Sequence, residues 1–529
     1  MSTQKITTSI QPCSPQGGFA NQPFIDFKAP ENARKMQNAL ELVAGQLGRE
    51  YDLVIGGKRI KTKDKIRSLN PARPAQIVGI HQKAGADHAE QAMTAALSAF
   101  ESWSRTPVES RVSLLLNAAR IIRERSFEFC AWLTYEVGKN WAEADADVGE
   151  TIDFLEFYAR EALRLADSKT PIQYPGERCE LHYIPLGVGA IIPPWNFPFA
   201  IMAGMTAAAI VTGNTLILKP SSDAPTIAAK FMEVLEEAGL PAGVVNFCPG
   251  SGSSFGNAIV EDHRTRFISF TGSKKVGLEI HERAAKAKPN QIWLKRTILE
   301  MGGKDTILVC ADANLDAAVE GVVASAFGFS GQKCSACSRA IIEAPVYNSF
   351  IEKLVARVAK LTVGDPAANH NLGPVINKGA LDSMLAYIEI GKKEGKLIAG
   401  GKAPEINGGY FLEPTVFADI APTAVLAQEE IFGPVLALIK VANFEEGMKV
   451  VNNTEYGLTG SIYSTDREKL NVARREFHVG NLYFNRKCTG AMVGAHPFGG
   501  FNMSGTDSKA GGPDYLLLFT QSKSVAEKL

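Results

Sequence analysis

The chain has 529 residues, of which 45% are hydrophobic and 21% are charged, so it is long enough for two or three globular domains. Lysine plus arginine and aspartate plus glutamate each number 56, and such a balance gives no reason to expect nucleic acid or an anionic membrane surface as partner. We therefore expect a small molecule to be the partner.

The N-terminal sequence MSTQKITTSIQPCSPQGG has neither the apolar core of a signal peptide nor the arginine-rich pattern of a transit peptide. The longest apolar stretch, residues 197–211, is too short to span a bilayer. Both features predict a cytoplasmic protein without a membrane partner.

From Leu181 onward, strand-like and helical runs alternate. TLILKP, GVVNFCPG and FISFTGS are short and rich in apolar residues, and APTIAAKFMEVLEEAGLP between the first two has helical spacing. That helical run stops at Gly239 and Pro241, which are typical just past a helix end. The alternation predicts an α/β fold with a parallel, doubly wound sheet that binds ligands at the carboxyl ends of its strands.

Two glycine-containing turns in this series are candidates for binding a nucleotide. Gly250, Gly252 and Gly256 have the spacing GxGxxxG, which is one residue too long for the dinucleotide fingerprint and equally fits an ordinary loop. In FTGSKKVG, Ser273 stands at a helix start, where free N–H groups favour a phosphate. Lys219 ends the strand TLILKP, where it could meet ribose or phosphate or simply be solvated. Together the two turns favour a nucleotide.

Two later residues are candidates for the chemistry. Glu300 lies between an apolar strand-like run and a Gly-Gly turn, where burial would raise its pKa toward neutrality and suit a general base; an ordinary strand-end acid fits the segment equally. Cys334, in the glycine-led turn FSGQKCSACSR, follows an apolar helical run and is our candidate nucleophile.

Cys334 and Cys337 also form a CxxC pair, which suits a redox dithiol or half of a zinc site. No second CxxC or nearby CxxH completes a zinc set, so we predict no metal site. A thioredoxin-like pair would follow an early strand, whereas this one lies deep in the second half of the chain. The eight cysteines are irregularly spaced and predict no disulfide framework.

Five motifs in order, PPWNFPF, LEMGGKD, FGFSGQKCSACSR, QEEIFGPV and HPFGGFNMSG, resemble the aldehyde dehydrogenase superfamily. Within it, the runs EYGLTGSIYS, EFHVGNLYFNRKCTGAMVGAHPFGG and MSGTDSKAGGPDYL resemble the Δ1-pyrroline-5-carboxylate dehydrogenases. The likeness extends from about residue 40 nearly to the C-terminus. It implies NAD-dependent oxidation of L-glutamate γ-semialdehyde, which is in equilibrium with Δ1-pyrroline-5-carboxylate, to L-glutamate in proline degradation.

The resemblance also implies catalytic roles. Cys334 would attack the aldehyde to give a thiohemiacetal. The Asn196 side chain and the backbone N–H of Cys334 would form the oxyanion hole. Glu300 would activate the water that hydrolyses the later thioester.

For NAD, the resemblance implies residues on the adenine side, at the pyrophosphate and beside the nicotinamide ribose: Lys219, Gly252, Gly256, Ser273, Glu430 and Phe432. Ser222 stands where many NAD-specific members have a glutamate that repels a 2′-phosphate. We therefore expect NAD as the cofactor, with some use of NADP.

For the substrate, the resemblance implies an anchor for the α-carboxylate made of Ser335 and the backbone N–H groups of Gly490 and Ala491, since adjacent amides in a glycine turn bind anions well. Phe197 and Phe498 would enclose the methylene chain, although packing in the core is the common fate of phenylalanine.

The implied fold is aldehyde dehydrogenase-like. A Rossmann-type cofactor domain comprises 41–170 and 191–301, and an α/β catalytic domain comprises 302–500. A small β-flap from 171–190 and 510–529 would join subunits into a homodimer or a higher assembly of dimers, and 1–40 would form an N-terminal arm.

Three alternatives stay open from the residues. An aldehyde dehydrogenase for another small semialdehyde is the nearest, although TGA after FNRKC argues against it. A cysteine hydrolase or acyltransferase needs a histidine base, and none of the eight histidines lies in a suitable motif. A non-catalytic protein on this fold would be expected to lose Cys334, Glu300 or Asn196.

Overall fold

The computed structural model describes residues 18–166 and 171–529. Residues 1–17 of the expected N-terminal arm and residues 167–170 of the expected cofactor domain therefore lie outside the described residues.

The α-helices of the described residues, in chain order, are α1 (Pro30–Ala44), α2 (Ala86–Trp103), α3 (Val108–Glu124), α4 (Ser126–Val137), α5 (Trp141–Ala166), α6 (Ala200–Val211), α7 (Pro225–Glu237), α8 (Asn257–Glu261), α9 (Lys274–Ala285), α10 (Leu315–Phe327), α11 (Tyr347–Val358), α12 (Lys378–Glu394), α13 (Val425–Gln428), α14 (Phe444–Val451) and α15 (Arg467–Glu476). The strands are β1 (Arg49–Tyr51), β2 (Leu53–Ile55), β3 (Lys58–Ile60), β4 (Lys65–Asn70), β5 (Arg73–Gln82), β6 (Glu177–Pro185), β7 (Val188–Ile192), β8 (Thr215–Leu218), β9 (Val245–Phe247), β10 (Phe267–Thr271), β11 (Arg296–Glu300), β12 (Asp305–Val309), β13 (Cys337–Glu343), β14 (Lys396–Ala399), β15 (Thr415–Ala418), β16 (Val435–Val441), β17 (Tyr456–Gly457), β18 (Thr459–Tyr463), β19 (Asn481–Phe484), β20 (Phe501–Asn502) and β21 (Thr520–Lys528).

The first large sheet has the strand order β11-β10-β7-β8-β9-β2-β3. The five strands from β7 to β11 run parallel to their neighbours, and the N-terminal hairpin β2-β3 joins antiparallel at one edge. Alternate residues of β8 enter different hydrophobic clusters, Leu216 and Leu218 on one face and Ile217 on the other. The sheet is therefore covered on both faces, and the predicted parallel α/β fold is confirmed.

The second large sheet has the order β14-β15-β16-β13-β12-β18-β19. All of its neighbouring strands are parallel except β14, which is antiparallel to β15. The turn that carries Cys334 directly precedes β13, which lies between β16 and β12. A central strand buried on both sides holds that turn in place.

The N-terminal segment is more tightly packed than an arm. Helix α1 buries Met36, Ala39, Leu40 and Val43, whose helical spacing forms one apolar face. Before the helix, the side chain of Asn21 donates to Asp153 of α5 at 2.8 Å. The boundary expected after residue 40 falls inside α1, so the described part of 18–44 is continuous with the first core.

The two segments expected to form a β-flap pair with each other. Strands β6 and β21 run antiparallel, with Pro185 opposite Thr520 and Glu177 opposite Lys528. Most of their side chains are exposed or half-buried. Among the described residues, no helix is both long and apolar enough to cross a membrane.

Candidate active site

A cavity of about 690 Å³ lies where the two large sheets meet. Its wall contains residues that follow five parallel strands of the first sheet: Asn196 after β7, Lys219 after β8, Gly252 after β9, Ser273 after β10 and Met301 after β11. Parallel strands bring their carboxyl ends to one edge. This topology explains why residues far apart in the sequence line one cavity.

The second large sheet contributes the remaining wall, with Cys334, Glu430 and Phe432. The cavity thus brings together two of the three predicted catalytic residues and every predicted cofactor residue: Cys334, Asn196, Lys219, Ser222, Gly252, Gly256, Ser273, Glu430 and Phe432. Its volume is in the range of small-molecule and cofactor sites.

At one end of the cavity, Lys219 lies against the glycine turn. A Cβ added to Gly256 would lie 3.6 Å from Cδ and Cε of Lys219, whereas Gly252 has open space around it. The Lys219 Nζ donates to the Pro220 carbonyl at 3.2 Å, and burial lowers its pKa to about 8. A desolvated ammonium beside bare backbone suits the hydroxyl and phosphate oxygens of a nucleotide.

The turn after β10 presents a helix start to the same cavity. Ser273 precedes α9, and its Oγ accepts a hydrogen bond from the Val276 N–H at 3.4 Å. Other amides of this first turn have no partner within the helix, which is a favourable place for a phosphate.

At the other end, Glu430 accepts a hydrogen bond from the Gly303 N–H at 3.0 Å. Burial raises the pKa of Glu430 to about 7. A side chain at Gly302 would overlap the Glu430 carboxylate, so only glycine allows this close approach. Phe432, at a φ of 58°, meets the edge of Trp195 with ring centroids 5.6 Å apart.

The nucleophile turn, residues 332–336, is held by its first residue. The Gln332 Oε1 accepts from the Ile376 N–H at 2.8 Å, and its backbone carbonyl accepts from the Asn196 Nδ2 at 3.2 Å. A carboxamide nitrogen has two donors, so Asn196 keeps a second N–H for an oxyanion near Cys334. Burial, and next the carboxylates of Asp305, Glu430 and Glu300, raise the pKa of the Cys334 thiol.

Glu300 does not line the cavity, although its neighbours Met301 and Gly302 do. The hydroxyl of Ser508 donates to the Glu300 Oε1, while Oε2 is buried and has no hydrogen-bond partner in residues 18–166 and 171–529. Burial raises the pKa of Glu300 to about 8, with Ser508 and then Lys509 opposing the rise. The expectation of a carboxyl group with a pKa near neutrality agrees with these contacts.

The predicted substrate residues lie outside the cavity wall. Phe197, which follows Asn196, has the Lys139 Nζ 3.8 Å from its ring centroid. Phe498 exchanges two backbone hydrogen bonds of 2.8 Å with Ala510. Gly490 has a φ of 74°, which favours glycine at that position. These contacts fix each residue locally and leave their role toward a substrate as a prediction.

Ser335 and Ala491 complete this predicted group. Ser335, next to the nucleophile, is buried, and its backbone carbonyl accepts two hydrogen bonds from outside the turn. Ala491 is half-buried and follows the left-handed Gly490.

A family model described as Aldehyde dehydrogenase family matches residues 59–525. The chain belongs to the aldehyde dehydrogenase family. Among curated relatives, the 1-pyrroline-5-carboxylate dehydrogenase of Geobacillus thermodenitrificans (strain NG80-2) is 57% identical over 510 residues, covering 96% of this chain and 99% of the relative. That of Bacillus mycoides (strain KBAB4) is 55% identical over 512 residues, covering 97% and 99%.

Solved structures of aldehyde dehydrogenases are similar over nearly the full length. The 1-pyrroline-5-carboxylate dehydrogenase from Thermus with bound NAD has a TM-score of 0.96 and 52% identity, covering 97% of this chain and 99% of that chain. A betaine aldehyde dehydrogenase from Staphylococcus aureus in complex with NAD+ has a TM-score of 0.86 and 28% identity, covering 93% and 97%.

The CxxC pair of this aldehyde dehydrogenase is divided between two environments. Cys334 lines the cavity, whereas Cys337 is the first residue of β13 and is fully buried. In the described part of the chain, no group of three histidine, cysteine, aspartate or glutamate side chains could hold a metal ion.

Several contacts of charged or polar groups around the site could not be predicted from the sequence. Lys333, next to the nucleophile, pairs with Glu143 of α5 at 2.6 Å, and Lys139, which precedes α5, pairs with the buried Asp147 of that helix at 2.9 Å. Ser508 lies in the run MSGTDSKAGGPDYL, which indicated the family but not the contact with Glu300. The partners in these contacts are far apart in the sequence or on different segments, and only the tertiary fold pairs them.

Proposed function

We propose that this aldehyde dehydrogenase oxidises L-glutamate γ-semialdehyde, the open form of Δ1-pyrroline-5-carboxylate, to L-glutamate with NAD, as a step of proline degradation. The observation that carries the proposal is the single cavity in which Cys334 and Asn196 adjoin the predicted nucleotide residues. Relatives above 50% identity that are named 1-pyrroline-5-carboxylate dehydrogenase support the choice of substrate.

The residues present fit an NAD molecule. Lys219 would meet the adenosine ribose, the α9 start at Ser273 the pyrophosphate, and Glu430 the nicotinamide ribose, with Phe432 beside it and Gly252 and Gly256 on the adenine side. When bound, NAD supplies a hydride acceptor. Burial lowers the pKa of Lys219 and raises that of Glu430, and buried groups of this kind can form hydrogen bonds with the ribose hydroxyl groups.

The protein's own chemistry centres on Cys334. Cys334 loses its thiol proton to solvent, the sulfur of the thiolate attacks the aldehyde carbon, and the resulting oxyanion accepts hydrogen bonds from the Asn196 Nδ2 and the Cys334 N–H. After oxidation a thioester remains on the sulfur. Glu300 takes a proton from water and the hydroxide attacks the thioester carbon. The C–S bond then breaks, L-glutamate leaves, and Glu300 returns its proton to the Cys334 sulfur, which restores the thiol. With a pKa of about 8, Glu300 can accept that proton near neutral pH.

We assign the α-carboxylate of the substrate to Ser335 and to the N–H groups of Gly490 and Ala491. The left-handed Gly490 supports this, because such a turn presents successive N–H groups to an anion. Phe197 and Phe498 would enclose the methylene chain between this anchor and Cys334.

Some use of NADP is part of the proposal. Ser222 is exposed on the cavity wall, so position 222 has no carboxylate to repel a 2′-phosphate. The neighbouring Asp223 also lines the cavity, and its carboxylate accepts a hydrogen bond from the Asn377 side chain at 3.3 Å.

The β6-β21 ribbon supports a homodimer or an assembly of dimers. A two-stranded ribbon is marginally stable by itself, and this one exposes Tyr183 and Ile184. A cytoplasmic location fits the seven cysteines that are free among the described residues. Sedimentation of the full chain tests the assembly proposed for the β6-β21 ribbon. It should give a dimer or a multiple of a dimer, and a monomer at micromolar concentration would contradict the proposal.

The function is tested by mixing the protein with NAD and Δ1-pyrroline-5-carboxylate and measuring NADH and L-glutamate. We expect both products in equal amounts, and a kcat/KM above that for succinate semialdehyde or propanal. Cys334→Ala should abolish the reaction, whereas the matched Cys337→Ala should retain it. A preference for succinate semialdehyde would refute the substrate, and loss of activity in both variants would restore the dithiol hypothesis.

A further inference from the structure

A buried thiol connects the predicted carboxylate anchor to the nucleophile turn. The Cys488 Sγ donates to the Ser335 carbonyl at 3.4 Å, and Ser335 follows Cys334 directly. The Cys488 N–H donates to the Ser325 Oγ of α10 at 3.2 Å, and the Cys488 side chain has no exposed surface. Cys488 is therefore fixed to the scaffold on one side and to the turn on the other.

Cys488 also packs with the strand that follows the nucleophile turn. It lies in the same buried hydrophobic cluster as Cys337, the first residue of β13. The Cys337 thiol itself donates to the Arg339 carbonyl at 3.4 Å, so the hydrogen bond from Cys488 is directed to Ser335 alone.

The anchor loop, residues 486–491, contains Cys488 and, two residues later, Gly490. Within it, Arg486 donates through Nη2 to the carbonyls of Thr489 and Gly490, both at 2.9 Å. These bonds make the loop a compact unit. The position of Cys488 consequently fixes where the N–H groups of Gly490 and Ala491 stand relative to Ser335.

We propose that Cys488 is a positioning residue that sets the spacing between the anchor loop and the nucleophile turn, and thereby the preference for aldehydes that carry a carboxylate. The inference rests on the proposed function and deepens it. An α-carboxylate that bridges Ser335 and the Gly490 turn needs donors at one fixed separation, whereas an aldehyde without a carboxylate makes no use of that separation.

A second residue also donates a hydrogen bond to the Ser335 carbonyl and can be changed independently of Cys488. The Thr459 Oγ1, on the first residue of β18, donates to the Ser335 carbonyl at 3.5 Å. Loss of one donor leaves the other to hold the carbonyl. Two changes at one acceptor are therefore expected to be coupled rather than additive.

The test compares Cys488→Ala, which removes the donor, with Cys488→Ser, which keeps one. We expect Cys488→Ala to raise KM for L-glutamate γ-semialdehyde about three- to tenfold, the usual effect of one lost hydrogen bond, with kcat changed less than about twofold. KM for propanal should stay within about twofold, and Cys488→Ser should restore most of the loss. The control is Cys310→Ala, which removes a buried thiol at the end of β12 and should leave both substrates unchanged.

If Cys488→Ala fails to fold, Thr459→Val takes its place in the test. This variant should raise KM for L-glutamate γ-semialdehyde and leave KM for propanal unchanged. The double variant should lose more than the product of the single losses, because neither the Cys488 nor the Thr459 donor then remains on the Ser335 carbonyl. Equal increases in KM for both aldehydes, or Cys488→Ser behaving as Cys488→Ala, would overturn the positioning role. An unchanged KM in Cys488→Ala would overturn it too, whereas a wild-type protein inactive on the semialdehyde would refute the proposed function itself.

Discussion

Replacing Ser508 with alanine should move the pH dependence of thioester hydrolysis to higher pH. The Ser508 hydroxyl donates to the Glu300 carboxylate, and the other carboxylate oxygen has no hydrogen-bond partner among the described residues. The Ser508 bond is the strongest influence that opposes the rise in pKa caused by burial. Without it, the charged form of Glu300 is less stable and its pKa rises further.

The expected shift can be worked from this contact. A hydrogen bond to a charged group contributes about 1.5–3 kcal/mol, and one pKa unit corresponds to about 1.4 kcal/mol. Since water can replace part of the bond, we expect a rise of about one unit. With a pKa of about 8, about a tenth of Glu300 is ionised at pH 7, and a rise of one unit leaves about a hundredth.

Hydrolysis by Ser508→Ala should therefore be about tenfold slower near pH 7 and should approach the wild-type rate near pH 10, because the base form accumulates as the pH rises. Acylation of Cys334 with p-nitrophenyl acetate, removal of the excess ester and measurement of the decay of the acetyl-enzyme should follow hydrolysis alone from about pH 6 to pH 10. Ser113→Ala is the matched control, since that serine donates to a backbone carbonyl on the exposed face of α3. An unchanged profile for Ser508→Ala, or a shift to lower pH, would refute the assignment of Glu300 as the base.

Gly490→Val should raise KM for L-glutamate γ-semialdehyde at least about tenfold more than for propanal, since a β-branched residue is strained at a φ of 74°; Gly408→Ala, at a φ of 70° in open space, is the control that should change neither. Ser222→Glu should lower kcat/KM for NADP at least about tenfold and leave that for NAD nearly unchanged, because a carboxylate repels the 2′-phosphate; parallel losses with both cofactors would contradict this. Asp147→Asn should lower the free energy of unfolding by about 3–5 kcal/mol in urea denaturation, because Lys139 is left buried without its counter-charge; a loss below about 1 kcal/mol would show that the pair is dispensable.

The sequence was sufficient to predict site residues that directly follow strands. Lys219 and Ser273 follow strand-like runs, and a parallel sheet brings such positions to one edge whatever their separation in the chain. Glu300 and Cys334 were candidates from their own segments, and the five motifs added Asn196 and the role of each residue. The cavity wall contains Asn196 and Cys334, and Glu300 directly precedes the lining residue Met301. Local pattern and motif order were sufficient here because each residue stands in a short, characteristic segment.

Contacts between distant segments were not predictable in this way. The hairpin β2-β3 joins the first large sheet through β9, some 190 residues away in the sequence, and α1 packs across the boundary expected for an arm. The roles of Ser508 and Cys488 follow only from their hydrogen bonds to Glu300 and Ser335, respectively. A serine or a buried cysteine has no pattern of its own that reveals such a partner.

The direct test of covalent catalysis at Cys334 is a single-turnover experiment with Glu300→Gln. In the presence of NAD and L-glutamate γ-semialdehyde, this variant should release about one NADH per chain and then stop, because the thioester forms but its hydrolysis lacks a base. Mass spectrometry after an acid quench should find the glutamyl group on the peptide that contains Cys334. NADH formation with Cys334 unmodified, or continued turnover at the wild-type rate, would contradict the account.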